Sequence, residues 1–111
     1  PSVQRAADDF VDPDTAGRIW TYERWPSRCS VRVLDLMAST RRHLADLRQP
    51  LLVIASSRDR VIARRGVELL LKRTGSDRVV MHWLERSGHL ITADAQWQTV
   101  ADQTLMFLQS L

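Results

Sequence analysis

The stretch Pro50-Leu51-Leu52-Val53-Ile54-Ala55-Ser56-Ser57-Arg58-Asp59-Arg60-Val61-Ile62 decides the fold. Leu51 to Ala55 is an unbroken apolar run of strand length. Strands covered on both faces read in this way, whereas half-exposed strands alternate apolar and polar residues. An acid, Asp59, follows the run. A second stretch repeats the arrangement: Val79-Val80-Met81-His82-Trp83-Leu84 leads through Glu85-Arg86-Ser87-Gly88 to His89, 30 positions after Asp59. Between them Arg64 to Thr74 reads as a helix, with Val67, Leu70 and Leu71 as its apolar stripe. A strand–helix–strand unit of this kind predicts a right-handed parallel crossover. Neighbouring parallel strands send their carboxyl-end loops into one crevice, so the acid and the imidazole are expected side by side.

Working outward, Val31 to Leu47 has helical periodicity through Val33, Leu36, Met37, Leu44 and Leu47, with Ser30 as the expected N-cap and Pro50 as the stop. Gly75 is expected to end the middle helix in the left-handed region. About Ala93 to Leu111 is a closing helix whose buried face is Trp97, Val100, Ala101, Leu105 and Leu108, with Asp94 set against its N-terminal dipole. Residues 1–30 read as irregular, because Pro13, Gly17 and Pro26 break any long helix. Trp20, Tyr22 and Trp25 crowd together there, and such a patch needs a surface to cover it. The expected division is a cap or lid segment over 1–30 and a core over 31–111. Two strands are too few to cover three helices. The predicted fold is therefore α/β: the edge of a larger sheet, two parallel strands with flanking helices.

Composition excludes several classes. With 44% hydrophobic and 26% charged residues the chain is globular and able to bury a moderate core. It has no apolar run of membrane-spanning length, so no stable membrane insertion is expected. The absent initiator methionine implies a true N-terminus further upstream, and a cytoplasmic location is the expectation. The formal charge is +3, yet the arginines are scattered, the densest spots being Arg41-Arg42, Arg58 with Arg60, and Arg64-Arg65. A nucleic-acid surface clusters its cations among stacking aromatics, so no nucleic-acid partner is expected. Cys29 is the single cysteine, and His43, His82 and His89 have no metal-ligand spacing, so no metal is expected.

The chemistry rests on Asp59 and His89. An acid that orients an imidazole, and an imidazole that takes a hydroxyl proton, are two members of a Ser-His-Asp apparatus. The glycines are Gly17, Gly66, Gly75 and Gly88, and no two are four residues apart, so no Gly-x-Ser-x-Gly elbow exists here. A nucleophile must come from outside these 111 residues. Taken singly, Asp59 also reads as a turn aspartate or an ion-pair partner of Arg58 or Arg60, and His89 as an ordinary loop histidine. Their shared position at the same end of neighbouring strands is what favours chemistry. Gly88 is expected to permit a tight turn and keep the ring approachable. Ile19, Trp20 and Met37 are candidate linings of an apolar acyl pocket under a lid, or packing against the core.

These residues also carry a family resemblance. Pro50 to Ile62 resembles the seventh-strand segment of the α/β-hydrolase fold, where the triad acid follows the strand. Ser87-Gly88-His89-Leu90-Ile91-Thr92-Ala93-Asp94, with Phe107-Leu108-Gln109-Ser110-Leu111, resembles its eighth strand, triad histidine and last helix. The Ser-Gly-His form is similar to bacterial carboxylesterases and monoacylglycerol lipases with a small cap. The resemblance spans about Tyr22 to Leu111, and Ala63-Arg64 departs from the proline often found after the acid loop. It implies the C-terminal portion of such a fold, with Asp59 and His89 as triad acid and base and the elbow and oxyanion hole earlier in the polypeptide. The implied reaction is hydrolysis of carboxylic esters of short or medium acyl chain through an acyl-enzyme, with no cofactor. The implied partners are a small-molecule ester and the N-terminal portion of the same hydrolase. Two rivals stand beside it: an acyltransferase, dehalogenase or epoxide hydrolase of the same fold, and a non-catalytic α/β interaction domain.

Overall fold

The structure, a computed structural model, describes residues 2–4, 9–20, 22 and 24–111, with the backbone alone for 2–4 and 25. In chain order these form β1 (Ser2–Gln4), α1 (Thr15–Arg18), β2 (Arg24–Pro26), α2 (Ser27–His43), a 3₁₀ turn (Leu44–Asp46), β3 (Leu51–Ser56), α3 (Arg64–Arg73), β4 (Val79–Leu84) and α4 (Trp97–Gln109).

β3 and β4 are the two apolar runs, and they pair in parallel from Leu51 opposite Val79 to Ser56 opposite Leu84. The register places both carboxyl ends at one level, so the loops that follow start side by side. α3 supplies the crossover that a parallel pair requires. Val67 of α3, Leu84 of β4 and Val100 of α4 are the buried apolar side chains among the described residues. Arginines reinforce the periphery: the Arg64 guanidinium lies 4.7 Å from the Trp83 ring centroid and Arg78 lies 5.8 Å from that of Phe107.

Several expectations need correction. Leu51 to Ala55 is half-buried and Val79 is exposed, so the strands are not covered on both faces by the described residues. The apolar face of α2 is likewise open, with Val33, Leu34, Leu36 and Met37 all exposed. α2 starts at Ser27, one residue after Pro26, and Ser30 lies inside it rather than capping it. Proline's fixed φ suits the residue that ends a strand and admits a helix directly behind it. The helix therefore runs across the division placed at residue 30.

The opening segment has regular structure after all. β1 and β2 pair antiparallel, with Val3 opposite Trp25. Backbone pairing needs no hydrophobic periodicity, and three-residue strands are too short to show any. Trp20 and Tyr22 meet edge to face at 4.7 Å, both exposed. The Trp25 side chain expected beside them lies outside the described residues.

Gly75 has no positive φ; among the described residues no glycine has one. α3 ends instead with the Thr74 N–H donating to the Leu70 carbonyl at 2.9 Å, and Gly75 is small because the backbone of Ala45 passes where a side chain would stand. The closing helix begins at Trp97, and turns occupy residues 91–96. Asp94 is accordingly not a dipole partner: it is wholly buried and engaged elsewhere.

Candidate active site

Asp59 reaches its place through the end of β3. The Ser57 N–H continues the ladder to the Leu84 carbonyl at 2.9 Å, and the chain then turns, with the Asp59 N–H bonding weakly to the Ser56 carbonyl at 3.4 Å. One carboxylate oxygen of Asp59 closes the turn, accepting from the N–H groups of Val61 at 2.7 Å and Ile62 at 2.8 Å. The other accepts from Nδ1 of His89 at 3.0 Å. Asp59 thus closes its turn with one oxygen and meets the imidazole with the other, while its expected ion pairing with Arg58 or Arg60 is absent among the described residues.

Burial separates the roles of the pair. The Asp59 side chain is 10% exposed and that of His89 is 37% exposed, so the acid is held inside and the ring faces outward. Desolvation alone pushes the Asp59 carboxyl up. The His89 hydrogen bond, the Ile62 and Val61 N–H groups and the imidazole charge outweigh it and hold the group below its ordinary value. An ionised Asp59 requires a proton on Nδ1 of His89, which leaves Nε2 as the ring's acceptor.

Four further side chains hold the histidine loop. Ser56 Oγ, at the tip of β3, makes a very short bond to the Ser87 carbonyl. Asp94 is wholly buried, and its carboxylate accepts from the N–H groups of Val11 at 3.0 Å, Asp12 at 2.8 Å, Gly88 at 2.5 Å and Ala95 at 2.8 Å. Burial pushes the Asp94 carboxyl up, but the N–H groups of Asp12, Gly88, Val11 and Ala95 together bring it below the usual carboxylate value. Hydrogen bonds to an ionised group are each worth about 1.5–3 kcal/mol, so this carboxylate is a main tie between the opening segment and the histidine loop. Thr15, also wholly buried, adds a bond to the Ala93 carbonyl at 3.0 Å. Asp9 accepts from the backbone N–H groups of His89 at 2.9 Å and Arg60 at 3.1 Å.

Gly88 has a different reason from the one expected. A Cβ there would strike the carbonyl oxygen of Asp9, so the residue is small to admit the opening segment, not to supply an unusual φ. The three proposed pocket residues are not brought together with the pair: Ile19 follows α1, Trp20 is 77% exposed and Met37 lies on the open face of α2. A cavity of about 590 Å³ is lined instead by Asp9, Phe10 and Val11 together with Arg58 and Arg60, the neighbours of Asp59 in sequence. Asp9, Asp94, Thr15 and Ser87 escaped sequence reasoning as supports of this site. Their partners are about eighty residues away in most cases, and only the Ser-Gly-His motif pointed to the place.

Parallel strands whose carboxyl ends carry a hydrogen-bonded acid and imidazole, flanked by helices, define a segment of an α/β-hydrolase sheet. The fold matches a solved structure from work on LipS and LipT, two metagenome-derived lipolytic enzymes, with a TM-score of 0.91 over 99% of this chain and 44% of that one, at 22% identity. In sequence the chain is 26% identical over 90 residues to a carboxylesterase of Bacillus subtilis (strain 168), covering 81% of this chain and 37% of the relative. The profile of the serine aminopeptidase family, S33, matches residues 15–96, and the chain belongs to that family. It spans less than half the length of both of these proteins.

Proposed function

We propose that Asp59 and His89 are the acid and base of a Ser-His-Asp hydrolase of carboxylic esters whose serine lies outside these 111 residues. The observation that carries the reading is the 3.0 Å bond between His89 Nδ1 and a buried Asp59 carboxylate. The serine attacks the ester carbonyl as its proton passes to Nε2 of His89. Asp59 stabilises the imidazolium, which then protonates the departing alkoxide and leaves an acyl-enzyme. Water, deprotonated by the same nitrogen, releases the acid. No cofactor takes part in this cycle. The substrate class is an ester of short or medium acyl chain, and Ile19 and Trp20 of the opening segment and Met37 of α2 would line its acyl pocket where the N-terminal portion of the polypeptide covers them. These residues alone are inactive, because the nucleophile and the oxyanion donors belong to the N-terminal portion of the polypeptide.

The test is fluorophosphonate labelling of the full-length polypeptide beside its His89→Ala variant. Labelling of the parent and its loss in the variant support the reading, and labelling that ignores the substitution refutes it. A second reading follows from the family's description as serine aminopeptidases. A serine activated by the same pair can attack an amide, and comparing p-nitrophenyl butyrate with an aminoacyl p-nitroanilide decides between them.

A further inference from the structure

We infer that Asp9 is a positioning residue for the acid–imidazole pair, holding the two loops that carry it at a fixed separation. The inference rests on the function proposed above and names a residue for that same site. The ladder between β3 and β4 ends where the Ser57 N–H meets the Leu84 carbonyl, two residues before Asp59 and five before His89, and beyond it Ser56 of β3 reaches only as far as the Ser87 carbonyl, so the sheet itself does not set the gap between the two side chains. Asp9 sets it from outside the sheet. One of its oxygens accepts from the N–H of His89 at 2.9 Å, and the other accepts from the N–H of Arg60, the residue after Asp59, at 3.1 Å. A single rigid carboxylate thus spans the acid loop and the base loop.

Asp9 is itself held. The chain just after it is tied down through the Val11 and Asp12 N–H groups on Asp94, and Asp94 also takes the Gly88 N–H. The missing side chain at Gly88 lets the Asp9 carbonyl lie against that backbone. His89 is therefore fixed at its own N–H by Asp9 and at the preceding N–H by Asp94, while its ring is fixed by Asp59. Removing Asp9 leaves the ring its partner but frees the backbone that aims it, and small misplacements of a catalytic group are costly in rate.

The test uses the full-length polypeptide with p-nitrophenyl butyrate as probe, and compares Asp9→Ala and Asp9→Asn in the parent and in an Asp59→Asn background. In the parent, Asp9→Ala lowers kcat by roughly tenfold to a hundredfold with KM nearly unchanged. Asp9→Asn, which keeps one acceptor oxygen, loses less. In the Asp59→Asn background the same changes cost less than about twofold, because the alignment they disturb is already without effect. Equal losses in both backgrounds, or a rise in KM with kcat kept, overturn the inference in favour of a merely structural role. If Asp9→Ala fails to fold, the same comparison is read from Asp9→Asn. Parent-like rates in both Asp9 variants, with His89→Ala inactive, sink the positioning role alone. Full turnover in His89→Ala sinks the proposed function and this inference with it.

Discussion

Replacing Asp59 by asparagine tests the chemistry with the least structural damage. The asparagine carbonyl keeps the acceptor that serves the Val61 and Ile62 N–H groups at 2.7 and 2.8 Å, so the turn after β3 persists. The amide nitrogen then faces Nδ1 of His89 where an acceptor stood 3.0 Å away. Two donors cannot share that line, so the ring moves its proton to Nε2 and loses the lone pair that should receive the serine proton. Loss of the correct tautomer costs about 10⁴ in turnover in a triad of this kind, equivalent to about 5 kcal/mol at the transition state. The loss should fall on kcat, because Asp59 is buried and does not face substrate. Steady-state hydrolysis of p-nitrophenyl butyrate by the full-length polypeptide measures it, with a thermal melt to confirm folding. A loss below about tenfold in a folded variant would refute the assignment of Asp59 as the orienting acid.

Three other outcomes follow from the same geometry. Asp59 and Asp94 both titrate below the ordinary carboxylate value, so the stability they contribute is complete above about pH 4 and is lost as acid carries the folded protein through their lowered values. Urea unfolding between about pH 5 and pH 2 should fall more steeply for the parent than for Asp94→Asn, and parallel curves would contradict this. Gly88→Ala drives a methyl group into the Asp9 carbonyl and should cost about 1–3 kcal/mol in urea unfolding, together with a lower kcat. Trp20→Ala removes a ring that is 77% exposed, so stability should change by less than about 0.5 kcal/mol. If the pocket proposal holds, KM for a longer acyl ester rises in that variant while KM for acetate does not.

Much of the fold was open to sequence reasoning because its signals are local. Runs such as Leu51 to Ala55 and Val79 to Leu84 announce strands by composition, and Val67 with Leu70 and Leu71 announces a helix by spacing, whatever lies around them. Strand order then requires a crossover, and the crossover brings two loop residues together, which is how Asp59 and His89 could be paired before any coordinates. Elements of three or four residues, such as β1, β2 and α1, offer no such spacing.

The amino-acid order alone determined the parallel pair, its connecting helix and the acid and imidazole at its carboxyl ends. Tertiary structure decided everything held by a single carboxylate reaching across the chain. Asp94 looked like a helix-start residue and is in fact a buried acceptor for the backbone of Val11, Asp12 and Gly88, and α4 begins only at Trp97. Asp9 had no local mark, since its partner His89 lies 80 positions away. Periodicity records which face of an element meets apolar surroundings, whereas a side-chain bond to a distant backbone N–H depends on where two loops come to rest once that face is buried.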